Sequence, residues 1–396
     1  MTNTFANNNL NLASSFEGEP EGYTAICASA GVGTSKTRYI GYTCTVAAEL
    51  LFDRTLLHKA FHPEAITISS DFTKKIDEIA QAHIEKGNAG CLFTLPCQSF
   101  SLAGGQHLGD PLTWLFLDAL ELIKKIIELG GCLDWIMWEN APYFISDKQD
   151  RIITDRLEGQ TILQQIKYVL EPLGYIINAK VLNAADYGTA QARKRGIILC
   201  RRDKVWNMPI PDDKQLTVRD AIGDRTKYIH LDSTCRRAPN NEFHRISYVS
   251  SVQEEFIQLI PSGRAAIEYF EEMGWSRSLV VNPDGKPSLA QHEKSAFGRN
   301  SWDEPNHTII QGSDSICGDW TLHPGDYLGK DAQGRDIYSD PRPYSIAEIF
   351  ALTGLDDNFI KAIPLWARPK DKLLRQICGE ALLPNLLNRC LEMLKK

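Results

Sequence analysis

The sequence contains no apolar run long enough to cross a lipid bilayer. Its longest apolar stretch, residues 112–127, is interrupted by charged side chains at Asp118, Glu121, Lys124 and Lys125. Because a membrane-spanning helix needs about 20 consecutive apolar residues, we expect no membrane association. Residues 1–20 are rich in Asn and Ser and lack a basic region followed by an apolar one, so they predict a flexible segment and not a signal peptide.

Two further patterns are absent. The ten cysteines of this 396-residue chain include no CxxC pair. Disulfide frameworks and structural zinc sites normally show close cysteine spacing, so we expect reduced thiols, a cytoplasmic location and no bound metal. The GxGxxG fingerprint is also missing, which disfavours a phosphate-binding dehydrogenase.

The chain has no overall excess of positive charge. Its formal net charge is −7, which by itself disfavours a nucleic-acid partner. Lys and Arg nevertheless outnumber Asp and Glu from Gln191 to Arg245, whereas the reverse holds over residues 1–100. A basic segment within an acidic chain is typical of a surface that docks on a phosphate backbone. An ordinary solvated face explains the same charge equally well.

Apolar strands and helices alternate up to about residue 200. The strands are predicted at 23–29, 42–48, 65–69, 91–95, 133–138, 175–182 and 196–200. One intervening helix is marked by Asp110 as N-cap and Pro111 at the first helical position. The alternation predicts an α/β fold with a doubly wound, mostly parallel sheet. Residues 201–302 resemble a second, smaller domain, mostly irregular or β, and helices return at 345–355 and 373–394.

Four chemically capable side chains follow predicted strands, namely Glu49, Asp71, Cys97 and Glu139. In open α/β sheets, ligands bind at the carboxyl ends of the strands. Cys97 leads into a loop of small residues that ends at Gly104-Gly105, a position suited to a nucleophile. Local pattern alone favours a buried structural cysteine, and helix capping would also explain Glu49 and Asp71.

Ordered motifs give the chain a specific resemblance. From Tyr23 to Leu394 it resembles the DNA (cytosine-5)-methyltransferase family. The matching motifs, in family order, are Pro96-Cys97-Gln98-x-Phe100-Ser101, Glu139-Asn140, Asp186-Tyr187-Gly188-x-x-Gln191-x-Arg193-x-Arg195, Glu304-Pro305-x-x-Thr308-Ile309 and Arg375-Gln376-Ile377-x-Gly379. The resemblance implies a Rossmann-like catalytic domain over residues 21–200, a target-recognition domain over 201–302, and a hinge with C-terminal helices over 303–396 that return to the catalytic domain.

The resemblance also implies the catalytic residues. Cytosine C5 is too weakly nucleophilic to attack a methyl sulfonium, whereas addition of a thiolate to C6 makes it reactive. By resemblance, Cys97 is that nucleophile and Glu139 binds the N3 and amino edge of the base. Arg195 holds the cytosine O2, and Arg193 lies nearby, towards phosphate or the nucleophile loop. The target base would have to be flipped out of the duplex.

S-adenosylmethionine is the implied methyl donor, with no metal. The small-residue turn at Ala30 would face its methionine part, Glu49 its ribose and Asp71 its adenine amine. The full set of residues implied at the donor site is Ala30, Gly31, Gly33, Glu49, Leu50, Asp71, Phe72, Pro96, Leu115, Glu380 and Leu382. No phosphate has to be bound, which accounts for the missing GxGxxG.

Double-stranded DNA is the implied partner, bound at a specific sequence by a monomeric enzyme of a prokaryote or phage. The residues expected to face the nucleic acid are Gln98, Ser101, Gln191, Arg193, Arg236 and Arg237. Which bases are recognised depends on loop geometry. The sequence carries no sign of whether a restriction endonuclease accompanies the enzyme.

Three positions depart from the family pattern. The first motif, usually Phe-x-Gly-x-Gly-Gly, reads Cys-Ala-Ser-Ala-Gly-Val-Gly over 27–33, and Ala141 stands where Val is usual. The last motif, usually Gly-Asn, reads Gly379-Glu380. We expect Glu380 to turn to solvent or to bind the ammonium group of the donor. The sharper alternative is a changed affinity for the donor or a changed choice of donor.

Two other functions stay open. A tRNA cytosine-5 methyltransferase would use the same chemistry. The variable region, residues 201–302, is however longer than such an enzyme usually carries. A catalytically altered DNA-binding relative with changed donor use would explain the altered first and last motifs. The intact Cys97, Glu139 and Arg195 speak against that relative, because a protein without the activity has no need of all three.

Overall fold

The computed structural model describes residues 16, 18–27, 29–101, 107–273, 280–281, 287–288, 298–313 and 320–396. Most of the N-terminal segment that is expected to be flexible lies outside these residues. The same is true of the small-residue end of the loop after Cys97, including Gly104-Gly105.

A seven-stranded sheet forms the centre of the molecule. Its strands are β1 (Glu21–Ile26), β2 (Tyr42–Glu49), β3 (Ile66–Ser69), β4 (Gly90–Phe93), β5 (Trp135–Asn140), β6 (Tyr175–Asn183) and β7 (Lys194–Arg202). They lie in the order β3-β2-β1-β4-β5-β7-β6. Only β7 runs antiparallel to its neighbours β5 and β6. The mostly parallel α/β sheet expected from the alternating pattern is therefore confirmed, and the strand order reverses beside β1, where such sheets open a ligand crevice.

Helices cover both faces of the sheet. Those within the first 200 residues are α1 (Phe52–Phe61), α2 (Ile76–Glu85), α3 (Leu115–Glu128), α4 (Arg151–Arg156) and α5 (Ile162–Leu170), and the C-terminal ones are α9 (Ile346–Thr353), α10 (Asp357–Ala362), α11 (Asp371–Glu380) and α12 (Pro384–Glu392). Because strand side chains alternate, Ile136 and Trp138 of β5 pack in the core with α2, α3 and α5. Trp135 and Met137 pack on the opposite face with α12. Helix α12 thus covers the face of the sheet opposite to α2, α3 and α5.

Capping residues set several helix ends. The Asp110 carboxylate accepts a hydrogen bond from the backbone N–H of Leu112 at 2.8 Å. Residues 111–114 first form a 3₁₀ turn, so α3 begins one turn later than the sequence predicts. Ser345 caps α9 through a reciprocal capping box with Glu348. Pro384, which cannot continue α11, takes the first position of α12.

The chain between β7 and α9 contains little regular structure. Among the described residues it forms the short helices α6 (Val218–Ile222), α7 (Ser251–Ile257) and α8 (Ala266–Glu272), and two antiparallel pairs, β8 (Val280–Val281) with β9 (Pro287–Ser288) and β10 (Tyr327–Lys330) with β11 (Asp336–Tyr338). A buried charge cluster joins this region to α9. The Arg342 guanidinium lies 2.7 Å from Asp340 and 2.8 Å from Glu348, and all three side chains are fully buried.

Candidate active site

Cys97 lies four residues beyond the end of β4, in a segment held by the loop after β1. The Thr94 hydroxyl donates to the carbonyl of Cys27 at 2.6 Å. The Cys97 carbonyl accepts hydrogen bonds from the backbone N–H groups of Phe100 and Ser101 at 3.0 and 2.9 Å, so the chain turns sharply at the thiol. The Cys97 side chain is half-buried, and Gln98 beside it is exposed. A half-buried thiol at a tight turn is accessible to a ligand and fixed in position.

Asn140 joins the acid motif to the cysteine segment. Its side-chain amide donates to the carbonyl of Leu95 at 3.1 Å, and its side-chain oxygen accepts from the backbone N–H of Ala141 at 2.8 Å. The residue is almost fully buried. It follows Glu139 directly, and this adjacency is the sequence signal that could have assigned it a positioning role.

Glu139 and Arg195 form the central ion pair of the site. Their strands β5 and β7 are antiparallel neighbours, and Arg195 Nε lies 2.7 Å from Glu139 Oε1. Burial raises the pKa of Glu139, while Arg195 and then Arg193 oppose the rise. A buried carboxyl group whose pKa is raised can share a proton with a base that it contacts.

Arg193 is fully buried between the cysteine segment and the C-terminal helices. Its guanidinium donates to the carbonyls of Ile309 at 2.9 Å and Gly379 at 2.7 Å. Burial and the charge of Arg195 lower the pKa of Arg193, whereas the acidic groups of Glu139 and Cys97 oppose that shift. Arg193 therefore interacts electrostatically with Cys97, but it is too buried to serve as a surface contact for phosphate.

Gln191 corrects one expectation from the sequence. It is fully buried, its amide nitrogen lies 3.5 Å from the carbonyl of Leu352, and its amide oxygen accepts from the backbone N–H of Ile309 at 3.1 Å. In this arrangement Gln191 cannot reach a nucleic acid. It holds the segment after the variable region against the arginine motif, where Thr308 also donates to the carbonyl of Ala192 at 2.8 Å.

The donor side is built around Glu49 and the turn after β1. Glu49 Oε1 accepts a hydrogen bond from the backbone N–H of Ala30 at 2.8 Å. Burial raises the pKa of Glu49 to about 7, and the Ala30 hydrogen bond and Arg54 oppose the rise. Ser29, Ala30 and Gly31 all have positive φ, at 50°, 59° and 83°. The turn therefore takes a left-handed course that L-residues with a side chain rarely adopt.

The other residues implied at the donor site differ in their contacts and in their exposure to solvent. Asp71 is half-exposed and caps the turn after β3, because its carboxylate accepts from the backbone and hydroxyl of Thr73. Leu50 is 64% exposed, whereas Phe72 is buried and Pro96 and Leu115 are half-buried. A Cβ placed on Gly33 would lie 3.0 Å from the carbonyl oxygen of buried Leu382, so Gly33 lets the C-terminal segment approach. An exposed apolar side chain beside a strand-end carboxylate fits a nucleoside.

Glu380 does not simply turn to solvent. Its Oε1 lies 2.8 Å from Arg54 Nη2 and accepts from the Gln311 side-chain amide at 2.6 Å. Burial raises the pKa of Glu380, and the positive charge of Arg54 opposes the rise. The carboxylate that departs from the family pattern therefore has a cation beside it, and the sequence alone did not indicate Arg54.

Arg236 and Arg237, expected to face the nucleic acid, are both exposed. The Arg236 guanidinium lies 4.4 Å from the ring centre of Tyr248, which is itself exposed. The backbone between these two arginines and Arg245 folds back on itself, with a bridge between Arg237 and Arg245. This pairing presents a cation and an aromatic ring together on the surface of the variable region.

The described residues contain no group of three or more His, Cys, Asp or Glu side chains that could hold a metal ion. No helix in the same part of the chain is both long and apolar enough to span a membrane.

The strand order and the acidic side chains at the strand ends define a Rossmann-like α/β fold with a ligand crevice. Residues 25–396 match the family model described as C-5 cytosine-specific DNA methylase. The chain belongs to this family, and it is a DNA (cytosine-5)-methyltransferase.

Two type II methyltransferases are similar in sequence to this protein over most of the chain. It is 29% identical over 380 residues to the type II methyltransferase M1.HgaI of Avibacterium volantium, covering 92% of this chain and 95% of that protein. It is 35% identical over 278 residues to the type II methyltransferase M.MthTI of Methanothermobacter thermautotrophicus, covering 67% of each. A solved structure described as a prophage-encoded DNA modification methyltransferase from E. coli has a TM-score of 0.61 at 14% identity, covering 95% of this chain and 98% of the other. The structural match concerns the fold alone.

Proposed function

We propose that this enzyme transfers a methyl group from S-adenosylmethionine to C5 of a flipped-out cytosine in a specific sequence of duplex DNA, through a covalent bond between Cys97 and C6. The observation that carries the proposal is the pairing of Glu139 with Arg195 at 2.7 Å. Both groups interact electrostatically with Arg193, and Arg193 also interacts with Cys97. An acid, two cations and a thiol thus meet at the carboxyl ends of β4 and β5.

Each residue has one task in the proposed reaction. The Cys97 thiolate adds to C6 and makes C5 nucleophilic. Glu139 shares a proton with N3, which offsets the charge arriving on the ring. Arg195 orients Glu139 and stabilises the charge that develops at O2. Loss of the C5 proton after methylation and elimination of the sulfur restore the Cys97 thiolate.

The residues of the donor side fit S-adenosylmethionine, which supplies an electrophilic methyl group when bound. Glu49 would hold the ribose hydroxyls and Asp71 the adenine amine, with Leu50 covering the ring. Phe72, Pro96, Leu115 and Leu382 would shape the surrounding pocket. The small residues of the positive-φ turn would let the ligand approach the backbone closely.

The proposed partner is duplex DNA, bound by a monomer in the cytoplasm of a prokaryotic or phage-infected cell. Gln98 and Ser101, next to the thiol, would contact the flipped nucleotide or the gap that it leaves. Arg236 and Arg237 would contact DNA from the variable region. This surface carries the basic excess noted in the sequence, which offsets the few kcal/mol needed to unstack a base.

Covalent trapping on duplex DNA that contains 5-fluorocytosine tests the proposal. Fluorine at C5 cannot leave as a proton does, so the parent enzyme with S-adenosylmethionine should form a stable protein–DNA adduct. Cys97→Ala should form none and should still bind the duplex. The matched control is Cys132→Ala, at an exposed cysteine, which should trap as the parent does. Adduct formation by Cys97→Ala would refute the mechanism.

The tRNA alternative is tested on the same preparation. Methyl transfer from labelled S-adenosylmethionine is measured side by side on duplex DNA and on tRNA. The proposal expects label in DNA only, and label in tRNA alone would replace the proposed substrate.

A further inference from the structure

The ion pair of Arg54 with Glu380 joins two elements that are remote in sequence. Arg54 lies in the first turn of α1, just after β2, and Glu380 is the last residue of α11. The Arg54 side chain is 7% exposed, whereas that of Glu380 is 26% exposed. The Arg54 end of the pair is therefore buried in the protein, and the Glu380 end is partly open to solvent.

Each partner has an unused hydrogen-bonding atom. Arg54 Nη1 is buried and has no hydrogen-bond partner among the described residues. Within the same part of the chain, the bonds from Arg54 and Gln311 both end on Glu380 Oε1, which leaves Oε2 available. An unpaired buried donor is unfavourable, so the pair by itself is incomplete. It offers one cationic donor and one anionic acceptor side by side.

The pair neighbours both Glu49 of the donor side and Arg193. The charge of Glu380 interacts with Glu49, which holds the turn at Ala30, and with Arg193. Arg193 donates to the carbonyl of Gly379, the residue before Glu380. A ligand with its nucleoside at Glu49 and its reactive centre near Cys97 would extend past this pair.

We propose that Arg54 and Glu380 together bind the amino-acid end of the methyl donor, with Arg54 contacting its carboxylate and Glu380 its ammonium group. This inference rests on the proposed use of S-adenosylmethionine. The positive charge of Arg54 complements the carboxylate of an α-amino acid, and the negative charge of Glu380 complements its ammonium group. The pair as a whole is neutral. A carboxylate at position 380 is thus compatible with an anionic ligand group nearby, because Arg54 stands beside it. The competing explanation is that the pair only fastens α11 to α1.

Isothermal titration with three probes separates these explanations. S-adenosylhomocysteine carries both amino-acid charges, decarboxylated S-adenosylmethionine lacks the carboxylate, and 5′-methylthioadenosine lacks both groups. Arg54→Gln should weaken S-adenosylhomocysteine binding by roughly tenfold or more, since a hydrogen bond to a charged group is worth about 1.5–3 kcal/mol. It should leave the affinities for the other two probes unchanged. Glu380→Gln should weaken S-adenosylhomocysteine and the decarboxylated probe, but not 5′-methylthioadenosine.

Two control variants separate a loss of ligand binding from a loss of folding. Arg219→Gln breaks an exposed ion pair with Asp303 and should alter no affinity. Arg54→Lys keeps a cation beside Glu380 but lacks a second nitrogen, so it should fold and still lose affinity for S-adenosylhomocysteine. Equal losses for all three probes would show that the pair is only a fastening, and unchanged affinities would show that it touches no ligand. If the parent enzyme binds neither S-adenosylhomocysteine nor S-adenosylmethionine, the proposed function itself fails.

Discussion

The side-chain amide of Asn140 donates a hydrogen bond to the carbonyl of Leu95, two residues before the thiol of Cys97. The strand that carries the acid Glu139 therefore holds the segment that carries the nucleophile. In the proposed reaction both groups contact one cytosine ring at once, and a small error of position would then lower the rate strongly. Asn140 accordingly has a positioning role that does not require it to touch the substrate.

Asn140→Ala should lower kcat for DNA methylation by roughly 10- to 100-fold, because a displacement of about 1 Å at a reacting group has an effect of this size. The KM for S-adenosylmethionine should stay unchanged, since the Asn140 side chain forms its hydrogen bonds with Leu95 and Ala141 and not with the donor turn as far as the structure describes it. Steady-state kinetics with both substrates varied separates the two parameters. Asn178→Ala, which removes a comparable amide-to-carbonyl hydrogen bond to Trp206, is the matched control and should keep kcat. A proportional rise in KM without loss of kcat would contradict the positioning role.

Breaking the ion pair of Arg195 with Glu139 should make the free energy of unfolding depend more strongly on pH. Arg195→Gln leaves a buried carboxylate without its partner, which costs about 3 kcal/mol when the group is ionised. The pKa of Glu139 in the folded state, already raised by burial, should then rise further above its unfolded value. A carboxyl group of this kind stabilises the fold while protonated and loses that contribution as pH rises through the window between the two pKa values.

Denaturant unfolding at pH 5.5 and pH 8 measures this effect. The loss of unfolding free energy in Arg195→Gln relative to the parent should be larger at pH 8 than at pH 5.5. The double variant Arg195→Gln with Glu139→Gln lacks the unpaired carboxylate and should recover most of the loss at pH 8. Equal losses at both pH values would show that Glu139 is not the source.

The turn after β1 should become more stable with glycine at position 29. Ser29 has φ +50°, a left-handed conformation that costs a non-glycine residue about 1 kcal/mol. Ser29→Gly should therefore raise the free energy of unfolding by up to about 1 kcal/mol. Ala60→Gly, in helix α1, should lower it by about 1 kcal/mol. The two substitutions add the same flexibility to the unfolded chain, so opposite signs in thermal unfolding would isolate the backbone strain, and a loss in both would contradict it.

The sequence predicted the large domain more fully than the site. Apolar runs and helix caps such as Asp110 act locally, so the strands of the sheet and the helix after Asp110 were predictable within a few residues. The contacts of Asn140 with Leu95 and of Arg54 with Glu380 join segments far apart in the chain, and no local pattern reports them. Gln191 shows the converse, since a motif identifies a residue without showing whether it is buried.

The buried charge cluster around Arg342 should be a main source of stability for the junction between the variable region and α9. Arg342 lies between Asp340 and Glu348, all fully buried, and its charge lowers the pKa of Glu348 to about 2 against the effect of burial. Arg342→Met would leave two buried carboxylates with too little positive charge, which costs about 3–5 kcal/mol. Arg219→Met, at an exposed pair, should change the free energy of unfolding by less than about 0.5 kcal/mol. Because the carboxylates can regain protons, the Arg342→Met loss should shrink as pH falls towards 5, and a loss independent of pH would point to packing and not charge.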